Sequence, residues 1–172
     1  RLTLKALPDR PDLVVWPESA VPFLFESDAA GRQEIISFVK DRDFHLLFGS
    51  LGAKVINRQV RLQNSAYLLS DQGNTLARYD KIHLVPFGEY VPLSSVLFFV
   101  DKLVEGIGDF TPGENYTVMD LPKGKVGTVI CFEVIFPEVV REFVRNGAQM
   151  MTTITNDAWF RRSSAAYQHF SL

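Results

Sequence analysis

The chain has 172 residues, with 18 Lys and Arg against 20 Asp and Glu and a formal net charge of −2. So near-neutral a balance gives no reason to expect nucleic-acid binding, which needs a concentrated basic face. Hydrophobic residues make up 47% and charged residues 22%, a globular composition long enough for one sizeable core rather than two. The single cysteine, Cys131, excludes an intramolecular disulfide framework and a Cys-rich zinc site. No apolar run nears the ~18 residues of a membrane span, and the first residues carry no signal-peptide pattern.

In chain order, residues 12–16 (DLVVW) form a short apolar run closed by Pro17, which predicts a buried strand ending at a loop. Residues 31–42 place Ile35, Ile36, Phe38 and Val39 at helical spacing among polar neighbours, which predicts an amphipathic helix. Residues 44–49 (FHLLFG) read as a second buried strand. Residues 64–70 and 75–79 flank Asp71-Gln72-Gly73-Asn74 as a β-hairpin. Residues 125–131 predict a strand, 136–145 a helix closed by Asn146-Gly147, and 149–155 a further strand. Strands alternating with helices predict a layered α/β domain. Both ends read as internal to a longer protein. The chain opens directly before a strand and stops at Gln168-His169-Phe170-Ser171-Leu172, within a helical pattern that has no cap.

Three stretches put a reactive side chain just after a hydrophobic strand, where α/β folds open into a ligand crevice. Glu18 follows the first strand and a proline turn; the alternative is a solvated loop glutamate. Lys81 and Glu89 lie in an apolar stretch punctuated by Pro and Gly (residues 79–90). A lysine so placed needs a carboxylate partner and becomes a fixed cation for an oxyanion. The alternative pairs Lys81 with Asp80 on the surface, and His83 reads better as a packed core histidine. Cys131 ends a strand just before a helix, where N-terminal amides would lower its pKa and make it a nucleophile. The alternative is a buried structural cysteine.

Together Trp16-Pro17-Glu18, the run from Asp80 to Glu89 and Cys131-Phe132-Glu133 resemble the three motifs of the nitrilase (carbon–nitrogen hydrolase) superfamily. More closely, His83-Leu84-Val85-Pro86-Phe87-Gly88-Glu89-Tyr90-Val91-Pro92-Leu93 resembles the bacterial apolipoprotein N-acyltransferase family. So do Thr155-Asn156-Asp157-Ala158-Trp159-Phe160 and Gln168-His169. The resemblance implies a four-layer α-β-β-α sandwich, incomplete at both ends. Residues 1–172 would be part of a catalytic domain, and a multi-helix membrane domain would lie outside this chain. It marks Glu18, Lys81 and Cys131 as catalytic and Glu89 and Glu133 as active-site carboxylates. Asn64 falls where the family keeps an asparagine before a strand. Two positions depart from the pattern: Phe132 stands where many members have Tyr, and Arg161 where Gly is usual.

The implied reaction is two-step acyl transfer at the periplasmic side of the bacterial inner membrane. A phospholipid is the acyl donor, and the α-amino group of a diacylglyceryl apolipoprotein is the acceptor. No cofactor and no metal take part. A soluble amidase of the same superfamily would use the same three residues, and a catalytically dead binding module would keep only the sandwich. Retention of Glu18, Lys81 and Cys131 speaks against the dead module, and the apolar run over residues 91–100 against the soluble amidase. Fourteen phenylalanines are many for a soluble domain of this size. Residues 91–104 (VPLSSVLFFVDKLV) hold more apolar side chains than one buried helix face needs. They read either as a plug beneath the site or as a lid dipping into the membrane. The lid would include Phe87, Leu97, Phe98 and Phe99, with Gly88 as its hinge.

Overall fold

The first sheet grows from the apolar runs near the N-terminus. The computed structural model describes residues 2–40, 42–86, 88–90 and 110–156. A short helix, α1 (Leu2–Ala6), leads into β1 (Leu13–Val15) and β2 (Val21–Leu24). Both strands lie parallel to β3 (His45–Ile56), end to end along the same edge. The run at 12–16 is less buried than its composition predicts, for Val15 is 41% exposed on this edge. β3 turns back into β4 (Gln59–Leu69), and β4 into β5 (Thr75–Asp80), both antiparallel. The β4–β5 turn is the expected one, with Gly73 at φ 77°. The β3–β4 turn is additional to the expected elements: Asn57 and Arg58 take φ 50° and 64°, the mirror-type two-residue turn that matches strand twist. β3 therefore continues past Gly49 to Ile56, and β4 starts before Asn64.

The second sheet pairs β6 (Met119–Leu121) antiparallel with β7 (Gly124–Ile130), and β7 parallel with β8 (Met150–Ile154). Between β7 and β8 run a 3-10 turn over Cys131–Ile135 and then α3 (Pro137–Arg145). Pro137 suits the first helical turn, where a missing N–H costs nothing. Phe136, expected inside the helix, is its N-cap residue.

Alternation along β3 and β4 sorts their side chains onto two faces. Leu46, Phe48, Tyr67 and Leu69 face α2 (Ala29–Val39), whose Val39, Phe38 and Ile35 complete one core with Phe25 and Phe44. Asp28 starts that helix by accepting a hydrogen bond from the Gly31 N–H at 2.8 Å. Leu47, Ala66, Leu68 and Tyr79 point the other way. They pack with Met119, Val126, Val129 and Ile130 of the second sheet, with Ile154, and with Val139 and Phe143 of α3. Each fully buried Leu or Phe contributes about 1.5–3 kcal/mol, so the two clusters join the layers into an α/β sandwich. β1, β3 and β5 point one way, and the site below gathers at the C-terminal ends of β1 and β5, beside the middle of β3.

Candidate active site

Glu18 owes its place to Gly49. The loop after β1 lies flat on β3, with the Gly49 N–H donating to the Pro17 carbonyl at 3.2 Å. A Cβ at Gly49 would stand 2.6 Å from the Glu18 Cα, so only glycine permits this approach. Glu18 is buried at 7% exposure, which excludes a solvated loop glutamate. One of its oxygens accepts from the Asn64 amide at 2.8 Å and the other from the Asn156 N–H at 3.0 Å. Asn156 follows β8 just as Glu18 follows β1, so the strand ends of both sheets meet here.

Lys81 leaves the end of β5 and is 1% exposed. Its N–H donates to the Asn64 carbonyl and its carbonyl accepts from the Gly113 N–H, each at 2.8 Å. Any side chain at Gly113 would collide with the Asp80 carbonyl. The ammonium lies 2.8 Å from Glu89 Oε2 and 3.9 Å from Glu18 Oε1. It does not pair with Asp80, whose carboxylate accepts from Arg78 at 2.6 Å and from the Ser65 hydroxyl at 2.5 Å. Asn64 joins the two carboxylates, its amide donating to Glu18 at 2.8 Å and to Glu89 at 2.7 Å. Glu89 also accepts from the Val85 N–H at 2.8 Å. Two carboxylates thus share one ammonium and one amide in a nearly dry space, each buried oxygen finding a donor.

Cys131 stands at the turn out of β7 with φ 52°, a left-handed conformation uncommon for a residue with a side chain. Such strain is retained where the surroundings over-determine it, often at functional sites. The expectation of a lowered thiol pKa does not hold. Burial pushes the thiol up from its ordinary value and the Glu18 carboxylate pushes it further. A hydrogen bond with Thr155, the Lys81 ammonium and the Phe132 N–H oppose this without overcoming it. The 3-10 turn is only five residues long, so few amides align behind the sulfur. Cys131 is therefore held as a thiol and needs a base.

Glu133 is fully buried and accepts four hydrogen bonds. Oε1 takes Tyr79 OH at 2.7 Å, the Ile82 N–H at 2.8 Å and the His83 N–H at 3.1 Å, while Oε2 takes the Ile130 N–H at 2.9 Å. His83 stacks on Phe136 with ring centroids 4.7 Å apart, the packed histidine its surroundings predict. Gly88 is described and exposed, its N–H donating to the Val85 carbonyl at 3.2 Å. Phe87, Leu97, Phe98, Phe99, the run at 91–104, Arg161 and the motif residues beyond Asn156 lie outside the described residues. Sequence reasoning singled out Thr155 and Asn156 only as part of a motif, without a role, and missed Gly49, Gly113, the part of Tyr79 and the main-chain N–H of Val85. Of the missed residues only the two glycines, each in a polar or strand context that does not demand one, leave a trace in the sequence.

Among the described residues no group of three His, Cys, Asp or Glu side chains could hold a metal ion. Among them, too, no helix is long and apolar enough to cross a membrane. A cavity of about 660 Å³ opens at the far end of the strands, lined by Asp12, His45, Lys123, Lys125 and Met150 among others. It includes none of the residues gathered around Lys81.

The sequence profile of the carbon-nitrogen hydrolase family matches residues 4–172. The apolipoprotein N-acyltransferase of Geobacter metallireducens is 48% identical over the whole chain, and that of Agrobacterium fabrum 37% identical over 98% of it. The chain spans about a third of the length of these curated relatives, 33% and 34% respectively. A variant of the amidase from Nesterenkonia sp. AN1, carrying acrylamide added at its active-site cysteine, superposes with a TM-score of 0.62. It is 22% identical, over 88% of this chain and 56% of the amidase, a likeness of fold.

Proposed function

Because the chain belongs to the carbon–nitrogen hydrolase family, we propose that it is the catalytic part of an apolipoprotein N-acyltransferase in which Glu18 is the base, Lys81 the oxyanion cation and Cys131 the nucleophile. The observation that carries the proposal is the meeting of Glu18 and Lys81 with a protonated Cys131 at one end of the sandwich. The 48% identity to a curated enzyme of that name supports the substrate class.

The proposed steps use this geometry. Glu18 takes the thiol proton as sulfur attacks the ester carbonyl of a phospholipid, forming the C–S bond. The tetrahedral oxyanion is met by the Lys81 ammonium and the Phe132 N–H. The C–O bond then breaks, the departing alkoxide takes the proton back from Glu18, and a lysophospholipid leaves a thioester on Cys131. The α-amino group of a diacylglyceryl-cysteine on an apolipoprotein attacks that thioester. Glu18 accepts its proton and returns it to sulfur as the amide forms. A thioester suits this second step because it acylates amines readily. Glu89 and Asn64 hold Lys81 and Glu18 in register. Phe87, Leu97, Phe98 and Phe99, with Gly88 as hinge, form the lid through which lipid enters. The enzyme works at the bacterial inner membrane, with this part on the periplasmic side.

The test is mass spectrometry of the intact enzyme after incubation with phospholipid. An acyl adduct on the Cys131 peptide is expected, discharged by a diacylglyceryl-cysteine peptide. It should be absent in Cys131→Ala and should fail to form in Glu18→Gln. An adduct persisting in Cys131→Ala overturns the assignment. Hydrolysis of simple amides with no adduct from phospholipid would make the protein an amidase.

A further inference from the structure

Glu133 reaches both halves of the site without facing the reaction. The Ile82 and His83 N–H groups it holds directly follow Lys81, and the Ile130 N–H it holds directly precedes Cys131. One carboxylate thus spans the backbone that carries the ammonium and the backbone that carries the thiol. None of its four partners is a cation, and the single side chain among them is Tyr79, through its hydroxyl at 2.7 Å. With three bonds on Oε1 and one on Oε2, the carboxylate is fixed from both sides. Tyr79 lies in β5, two positions before Lys81, fully buried, with its ring edge-on to Phe143 at 5.1 Å.

We propose that Tyr79 is a positioning residue, its hydroxyl locking Glu133 so that the Lys81 ammonium is held at a fixed distance from the Cys131 thiol. The proposal rests on the assignment of Lys81 and Cys131 as reacting groups. Burial and the charge of Glu133 push the Tyr79 phenol far above its ordinary value, so it remains a donor at every working pH. Without that donor the carboxylate keeps only main-chain partners, and the two backbone segments gain freedom to separate. Displacement of a catalytic group by about 1 Å is enough to cost on the order of 10² in rate.

Tyr79→Phe in the intact enzyme keeps the ring against Phe143 and removes only the hydroxyl. Two readouts apply. The first is single-turnover thioester formation from phospholipid, where kcat is expected to fall about 10–100-fold with KM unchanged. The second is the pH profile of Cys131 alkylation by iodoacetamide, which needs no lipid. Glu18, Lys81, Thr155 and the Phe132 N–H face this thiol. As Lys81 draws away its pull weakens, so the alkylation midpoint should move to higher pH. Glu133→Gln should shift both readouts in the same direction, and adding Tyr79→Phe to it should change little further. An unmoved alkylation midpoint with wild-type kcat overturns the proposal. So does a fall in rate matched by a fall in folded protein, or a Tyr79→Phe variant that does not fold, since Tyr79 would then be core alone. If the acyltransferase assignment fails instead, no phospholipid adduct forms in any variant while the alkylation midpoint still shifts.

Discussion

Three carboxylates lie around Lys81 and Cys131, and the partners of each divide their work. Glu133 is saturated by Tyr79 and three main-chain N–H groups. Glu89 is held by Lys81, Val85 and Asn64. Glu18 keeps one bond on each oxygen and lies close enough to Cys131 to raise its pKa, which leaves it the carboxylate with room for a proton. Because Glu18 raises the thiol pKa and Lys81 lowers it, the two substitutions have opposite signs. Glu18→Gln should move the midpoint of Cys131 alkylation to lower pH, and Lys81→Met should move it higher. Lys81→Met should also slow thioester formation about 10²–10³-fold, the usual cost of one oxyanion donor. Turnover within a few-fold of wild type would leave Lys81 a structural cation. The residue types and their places after strands were legible from the sequence, because reactive groups at strand ends are a property of neighbouring residues. The raised thiol was not. It depends first on burial between the packed layers and then on Glu18 arriving from another sheet, and hydrogen bonds that saturate Glu133 come from residues 51 and 50 positions away.

Strands and turns set how closely these groups approach, and Gly49 is the sharpest case. Gly49→Ala places a methyl 2.6 Å from the Glu18 Cα. Either the loop carrying the base lifts, or β3 yields, at about 1–3 kcal/mol of overpacking. The expected outcome is a lower thermal midpoint together with slower thioester formation at unchanged KM. A variant as stable and as fast as wild type would show that the loop does not depend on that contact. Helix α2, helix α3 and the β4–β5 hairpin were readable because periodicity, an Asn-Gly stop and a Gly-containing turn announce them. The outer half of the β3–β4 ribbon was not. Its turn uses Asn57-Arg58, without the glycine that signals such turns, and its Lys54, Gln59 and Arg61 interrupt the apolar pattern. Exposed Val55 and Val60, opposite each other in the register, are the alternation that remains.

At the scale of the whole molecule, the layered α/β class follows from alternating strands and helices, whereas the pairing of strands into two separate sheets does not. Nothing in a strand's own residues states which neighbour it joins. The lid proposed for residues 91–104 is likewise tested only in the intact enzyme. Phe98→Ser and Phe99→Ser should retain the thermal midpoint and slow acylation by phospholipid, but not by a short soluble ester. A large loss of stability with acylation per folded molecule unchanged would place those side chains in the core instead. Glu18 leaves β1, Lys81 leaves β5, Cys131 leaves β7 and Asn156 leaves β8, so no single hairpin or βαβ unit contains two of the three reacting groups. During synthesis a chain whose second sheet has not docked carries an unassisted thiol, with no base beside it and no cation for an oxyanion. If the proposed triad is the acylating machinery, newly made protein is chemically silent toward esters until both sheets have docked, and acylating power itself becomes a sensor of completed folding.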